Sequence, residues 1–229
     1  ARNCIYLKTV LLSIALQPSY GQGFCKDIYE YWYGMMLCSI HIGRGEGRML
    51  AYRIDEEVSL RMFDEGDAEE FYNLTIHSKE HLRKWLVWLD QIESLEDITQ
   101  YIRTRLKIMA EDGGYLKSFA IIYKGKIAGT IGFNAFNKGN KSGVVGYWIG
   151  ENFQGKGIMS RALKAVIDYG FKELGLNRIE VCVATENEKS RALPERFGFT
   201  EEGILRQAEW LYDHYVDHIV YGLLREEWE

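Results

Sequence analysis

Proline is nearly missing from this chain, with two in 229 residues, while aromatic residues make up 14%. That balance excludes a disordered or fibrous protein, which needs the opposite composition. Cysteine is scarce and unevenly placed. Three of the four (Cys4, Cys25, Cys38) fall within the first 48 residues, which leaves only Cys182, inside the apolar run 179–184. A lone apolar-flanked thiol carries no disulfide framework or zinc pattern, and a reducing cytoplasm is the expected compartment. Positive charge is not in excess: 28 basic residues face 33 acidic ones, a net charge of −5. Bulk attraction to nucleic acid is therefore excluded as the basis of function. No apolar run approaches the roughly 20 residues that cross a bilayer. The histidine pairs His77/His81 and His214/His218 have helical i, i+4 spacing but no third ligand in sequence, so no metal is expected.

What is present is 47% hydrophobic and 27% charged, the balance of an ordinary globular protein with ample core. The balance shifts along the chain. Residues 1–48 hold five basic and three acidic residues, and the rest hold 23 basic and 30 acidic. The first segment shows no amphipathic period. Its end, Gly43-Arg44-Gly45-Glu46-Gly47-Arg48, can be encoded by purine-rich codons and sits directly before Met49. We expect residues 1–48 to be an upstream-translated or non-native extension, and 49–229 to be the functional domain.

Within 49–229 the pattern alternates between periods. Residues 58–63 read as a strand, 67–76 and 80–89 as helices, and Ser94-Leu95-Glu96-Asp97 as a capping box opening a helix that Asp112-Gly113-Gly114 stops. Residues 118–123 and 127–133 form a hairpin around Lys124-Gly125-Lys126, and 144–149 reads as a strand buried on both faces. Met159, Leu163, Val166, Ile167 and Phe171 recur at helical period, followed by a strand at 178–183, a short helix at 187–197 and a closing strand pair, 199–210 and 215–224. Paired strands mixed with strand–helix–strand units predict one α+β domain around a mixed sheet.

The segment Gln154-Gly155-Lys156-Gly157 lies between a strand and a helix. Glycines there allow close approach to a ligand, and the free N–H groups of the first helical turn attract an anion. Residues 150–156 fit the start of a P-loop, but Gly157 stands where Ser or Thr would hold magnesium. The dinucleotide pattern fails because Ser160 follows where a third glycine belongs. A third pattern, Q/R-x-x-G-x-G/A, binds the pyrophosphate of coenzyme A, and residues 154–159 satisfy all of it except the last position, which is Met159.

With that loop, the chain resembles the GNAT N-acetyltransferases. Asn187-Glu188-Lys189-Ser190-Arg191-Ala192 and Glu195-Arg196-Phe197-Gly198-Phe199 are similar to the family's second cofactor-contacting segment. His81-Leu82-Arg83-Lys84-Trp85-Leu86, Tyr147-Trp148-Ile149-Gly150 and Gln207-Ala208-Glu209 resemble the RimJ/RimL type, which acetylates ribosomal-protein N-termini. The resemblance covers roughly residues 57–225.

It implies a mostly antiparallel mixed sheet, flanked by helices and splayed at the cofactor site. It implies acetyl-CoA as the cofactor, cradled by Gln154, Gly155, Lys156, Gly157, Ile158, Met159 and Ser160. Trp148 and Ile149 would pair with the pantetheine arm, and Asn187 would hydrogen-bond it. Ser190 would protonate the leaving thiolate, and Glu209 would be the general base. Two departures stand out: Met159 replaces a small residue, and Pro194 occupies the position where many relatives carry a tyrosine acid. The chemistry needs such groups, since a protonated amine must lose its proton before it attacks a thioester. Trp85, Trp88 and Trp210 are candidates to line the acceptor channel, because aromatic rings bury area around a flexible substrate.

The expected acceptor is a protein N-terminal α-amine, with a ribosomal protein as the family-level choice. A small amine such as a polyamine or aminoglycoside, or a non-catalytic coenzyme A-binding sensor, are the alternatives. No direct nucleic-acid or membrane partner is expected, and a homodimer is compatible with the sequence.

Overall fold

The computed structural model describes residues 51–111 and 118–228, all within the compact unit Gly47–Glu229. The extension expected over residues 1–48 lies outside the described residues. So does the Asp112-Gly113-Gly114 helix stop.

The elements are β1 (Ala51–Arg53), β2 (Val58–Arg61), α1 (Ala68–His77), α2 (Lys79–Leu82), α3 (Leu95–Glu111), β3 (Ser118–Tyr123), β4 (Lys126–Asn137) and β5 (Ser142–Ile149). They continue as α4 (Ile158–Lys172), β6 (Arg178–Ala184), α5 (Glu188–Arg196), β7 (Thr200–Leu211) and β8 (His214–Leu224). The strands form one eight-stranded sheet in the order β1-β2-β3-β4-β5-β6-β8-β7. Every neighbouring pair is antiparallel except β5 and β6, which run parallel. The α+β class and the mixed, mostly antiparallel sheet agree with the sequence reading.

Two apolar clusters hold the sheet. In one, Leu163, Val166, Ile167 and Phe171 of α4 pack with Ile131, Val145, Val181 and Tyr221 of the strands. In the other, Phe71 of α1 and Ile98 and Ile102 of α3 pack with Ala120, Ile127 and Trp148. β5 thus sends Val145 to one cluster and Trp148 to the other, as its continuous apolar run suggests.

The helix expected over 80–89 is broken. α2 ends at Leu82, Leu86 is extended (φ −129°), and a 3₁₀ turn covers Val87–Gln91. Tertiary contacts outcompete the local period here. Tyr212 Oη donates to the Leu86 carbonyl (2.8 Å), while Arg83 bonds Asp90 (2.9 Å) and lies over the Tyr212 ring. β1 was not expected at all: its three residues are exposed and carry no apolar alternation.

Between β2 and α1, Arg61 grips Asp67 with two hydrogen bonds, at 2.5 and 2.7 Å, and both side chains are largely buried. Removing one partner of a buried pair leaves an uncompensated charge. Arg61→Ala is therefore expected to lower the unfolding free energy by about 3 kcal/mol, read as an earlier urea midpoint. Among the described residues, no helix is long and apolar enough to cross a membrane.

Candidate active site

Parallel pairing between β5 and β6 runs only from Ser142↔Arg178 to Val145↔Val181. Beyond it β6 continues with β8 as far as Ala184↔His218, while β5 stays with β4 as far as Gly129↔Ile149. The two strands therefore diverge, and a cleft of about 1580 Å³ opens at the divergence. This is the splay that the resemblance implies, and it opens between Trp148-Ile149 and the end of β6.

The loop after β5 forms one rim. Gly155 (φ 73°) and Gly157 (φ 66°) both adopt left-handed backbone that favours glycine. Gly157 is the N-cap of α4, without a side-chain cap, so the N–H groups of Ile158, Met159 and Ser160 have no intrahelical acceptor. A Cβ at Gly155 or Gly157 would meet no heavy atom within 4 Å, so the space beside this backbone is open. Lys156 Nζ stays at the loop, bonded to the Asn152 carbonyl (2.8 Å), and Arg196 reaches over from α5 to Ser160 Oγ (2.8 Å). Free amides, a helix N-terminus and two nearby cations fit a pyrophosphate. Met159, where the resemblance implies a small residue, is buried in the α4 cluster. Gln154 makes a close contact through Nε2 with His81 Nε2, which ties the loop to α2.

Trp148 and Ile149 line the cleft, although the Trp148 ring itself stacks on Phe71 (5.4 Å) in the core. On the opposite wall, Asn187 caps α5, its Oδ1 accepting from the Ser190 N–H (3.2 Å). Ser190 Oγ donates to Tyr147 Oη (3.4 Å), and Tyr147 Oη donates to the Ser190 carbonyl (3.0 Å). Burial pushes the Tyr147 phenol up to about 12, so it remains a proton-bearing donor at neutral pH. The helix position where the resemblance implies a tyrosine is held by the buried Pro194, and Tyr147 reaches Ser190 from β5.

Glu209 lines the cleft from β7, with Oε2 3.3 Å from His218 Nε2 on β8. Trp85 and Trp88 line the cleft too, and Trp88 lies near Tyr101 and Trp148 in a continuous aromatic wall. Trp210 is corrected: it does not line the cleft. It is half exposed and packs edge-on against Tyr215 (4.8 Å). Consecutive strand residues face opposite sides, so with Glu209 turned inward Trp210 turns away. The four described histidines are each engaged elsewhere: His77 with the Asn73 carbonyl, His81 with Gln154, His214 with Asp213 and His218 with Glu209. Among the described residues no cluster of three or more ligating side chains could hold a metal.

The residues that sequence reasoning missed are Tyr147, His218 and Arg196. Tyr147 lay inside a quoted motif. His218 and Arg196 become neighbours of the site only through strand register and helix docking.

Residues 57–200 match the family model described as the acetyltransferase (GNAT) domain. The ribosomal-protein-serine acetyltransferase of Escherichia coli is 32% identical over 170 residues, covering 74% of this chain and 94% of that protein. Among solved structures, RimL, a ribosomal-protein alpha-N-acetyltransferase in complex with coenzyme A, superposes with a TM-score of 0.73. It is 29% identical, covering 78% of this chain and 99% of its own. The microcin self-immunity acetyltransferase MccE, in complex with acetyl-CoA and AMP, gives a TM-score of 0.70 at 31% identity, covering 76% of this chain and 95% of its own.

Proposed function

Because the chain belongs to the GNAT acetyltransferase family and uses acetyl-CoA, we propose that it acetylates the N-terminal α-amine of a protein, a ribosomal protein being the favoured acceptor. The observation that carries this reading is the placement of Glu209. It lies on the far wall of the same cleft that the glycine loop and the β5–β6 splay open. The relative named a ribosomal-protein-serine acetyltransferase, aligned over nearly its whole length, supports the choice of acceptor. A ribosomal acceptor also implies a cytoplasmic enzyme.

Acetyl-CoA supplies the activated acetyl thioester. The chain's residues hold it and manage protons. Residues 154–160 bind the pyrophosphate through backbone N–H groups, with Lys156 and Arg196 adding charge. The β5 edge at Trp148-Ile149 offers the unpaired backbone to the pantetheine arm. Asn187, whose oxygen is already the helix cap, has its amide N–H left to donate. Glu209 takes the proton of the incoming ammonium, and Ser190, set in place by Tyr147, supplies one to the leaving sulfur. Trp85 and Trp88 hold the acceptor chain at the mouth.

A screen of acetyl-CoA consumption tests the reading. Peptides beginning with Ser or Ala, polyamines and aminoglycosides are compared at equal concentration. Turnover is expected on the peptides, with the acetyl group on the α-nitrogen by mass spectrometry. Turnover on polyamines alone would replace the protein acceptor with a small amine. Tight acetyl-CoA binding without turnover on any amine would point to a sensor.

A further inference from the structure

We infer that His218 is a positioning residue for Glu209, holding one carboxylate oxygen so that the other faces the acceptor amine. The inference rests on the acyl-transfer reading above and adds to it a residue outside the motifs that carry the family resemblance.

The local sequence would not place Glu209 here without help. β7 and β8 pair at Leu205↔His218 and next at Glu209↔Val216. In that interval β7 advances four residues while β8 advances two, so two extra residues are looped into β7. The bulge is fastened at Gln207, whose φ is 52° and whose N–H donates to Asp217 Oδ1 (2.7 Å). An unbroken ladder would carry Glu209 two positions further, level with His214 at the hairpin end. The bulge draws it back to the diagonal of His218, within reach of a long side chain. Asp217 and His218 are thus consecutive residues of β8, one fastening the bulge at Gln207 that sets the register of Glu209 and the other lying against its carboxylate.

His218 sits at the open end of the splay, opposite Ala184, the last residue of β6 that still pairs. Its side chain is 18% exposed and that of Glu209 36%, and both line the cleft. A free glutamate has three rotors, and a cleft-facing carboxylate samples many orientations. His218 Nε2 lies 3.3 Å from Oε2, and a proton on that nitrogen draws the oxygen toward it, narrowing that freedom and leaving the lone pairs of Oε1 for the ammonium. His214, one helical turn away in sequence but on a strand here, is taken up by Asp213 (2.7 Å) at the hairpin end.

The test compares His218→Leu, which removes the donor but keeps bulk, with His218→Gln, whose amide N–H can replace it. On a peptide with an N-terminal serine, His218→Leu is expected to lower kcat about tenfold with KM for acetyl-CoA unchanged, and His218→Gln to recover most of the loss. In a Glu209→Gln background, His218→Leu should cost nothing more. Equal defects in the Leu and Gln variants, or a loss confined to KM, would overturn the role. A second readout needs no acceptor. The ring-nitrogen resonance of His218, assigned by its absence from His218→Gln, should move in Glu209→Ala, and an unmoved resonance also overturns the inference. A moved resonance in a protein that acetylates none of the amines tested supports the pair and counts against the reaction assigned above.

Discussion

Glu209→Gln is expected to lower kcat by about a hundredfold or more near neutral pH, the scale of a lost general base, with acetyl-CoA affinity intact. The glutamine keeps the size and one oxygen of the side chain, so the bulge at Gln207 and the cleft wall should survive. What disappears is the ability to accept a proton. A protein α-amine has a pKa near about 8, so only about a tenth of it is free base at pH 7. The enzyme must deprotonate the remainder, and that demand falls as pH rises. The sign follows directly. The ratio of wild-type to variant kcat should be largest below the amine pKa and shrink by about tenfold above it, as solvent takes over deprotonation of the ammonium and only the proton transfer within the transition state still needs the carboxylate. Steady-state rates across the range from about pH 6.5 to 9.5 would show this convergence. Parallel profiles of equal height would remove Glu209 as the base, whatever the acceptor.

The contrast between what was legible in the sequence and what was not follows from the range of the interactions. The glycine loop was readable because its chemistry is local: Gly155 and Gly157 need positive φ, and Ile158 must start a helix with unpaired N–H groups. The divergence of β5 from β6 could be anticipated only through the family resemblance, since nothing in either strand's composition stops the pairing at Val145↔Val181. Trp210 turns away from the cleft because its neighbour Glu209 faces into it, and a strand sends adjacent side chains to opposite faces. The break at Leu86 depends on Tyr212, more than a hundred residues away, so no local period could announce it. Tyr147 and His218 were invisible as site residues for the same reason. One meets Ser190 from β5, and the other meets Glu209 only because the bulge shifts the register. Positions set by their own backbone were legible in the sequence; positions set by a distant partner were not.

Gly157→Glu should abolish measurable acetyl-CoA binding while leaving the fold nearly intact. Two separate costs decide this. The first is conformational: a non-glycine residue at φ 66° pays about 1–2 kcal/mol, a modest fall in melting temperature. No steric clash is added within the protein, because a Cβ there meets no heavy atom within 4 Å. The second cost falls on the ligand. The new side chain projects into the open space beside the unpaired N–H groups of Ile158, Met159 and Ser160, and its carboxylate competes for them. A carboxylate about 4 Å from one phosphate charge adds about 4 kcal/mol of repulsion at a near-surface effective dielectric, or about a thousandfold in Kd. Lys156 and Arg196 would offset part of that, but in the proposed site they would balance the pyrophosphate of the wild type as well. Gly157→Asn separates the two costs. Asparagine tolerates left-handed backbone and brings no charge, so it should bind acetyl-CoA more weakly than wild type yet far better than the glutamate variant. Calorimetric titration with acetyl-CoA, beside thermal melts of all three proteins, gives the ordering. A folded Gly157→Glu protein with undiminished affinity would move the pyrophosphate off this loop, and the positions inferred for Ser190 and Glu209 relative to the thioester would move with it.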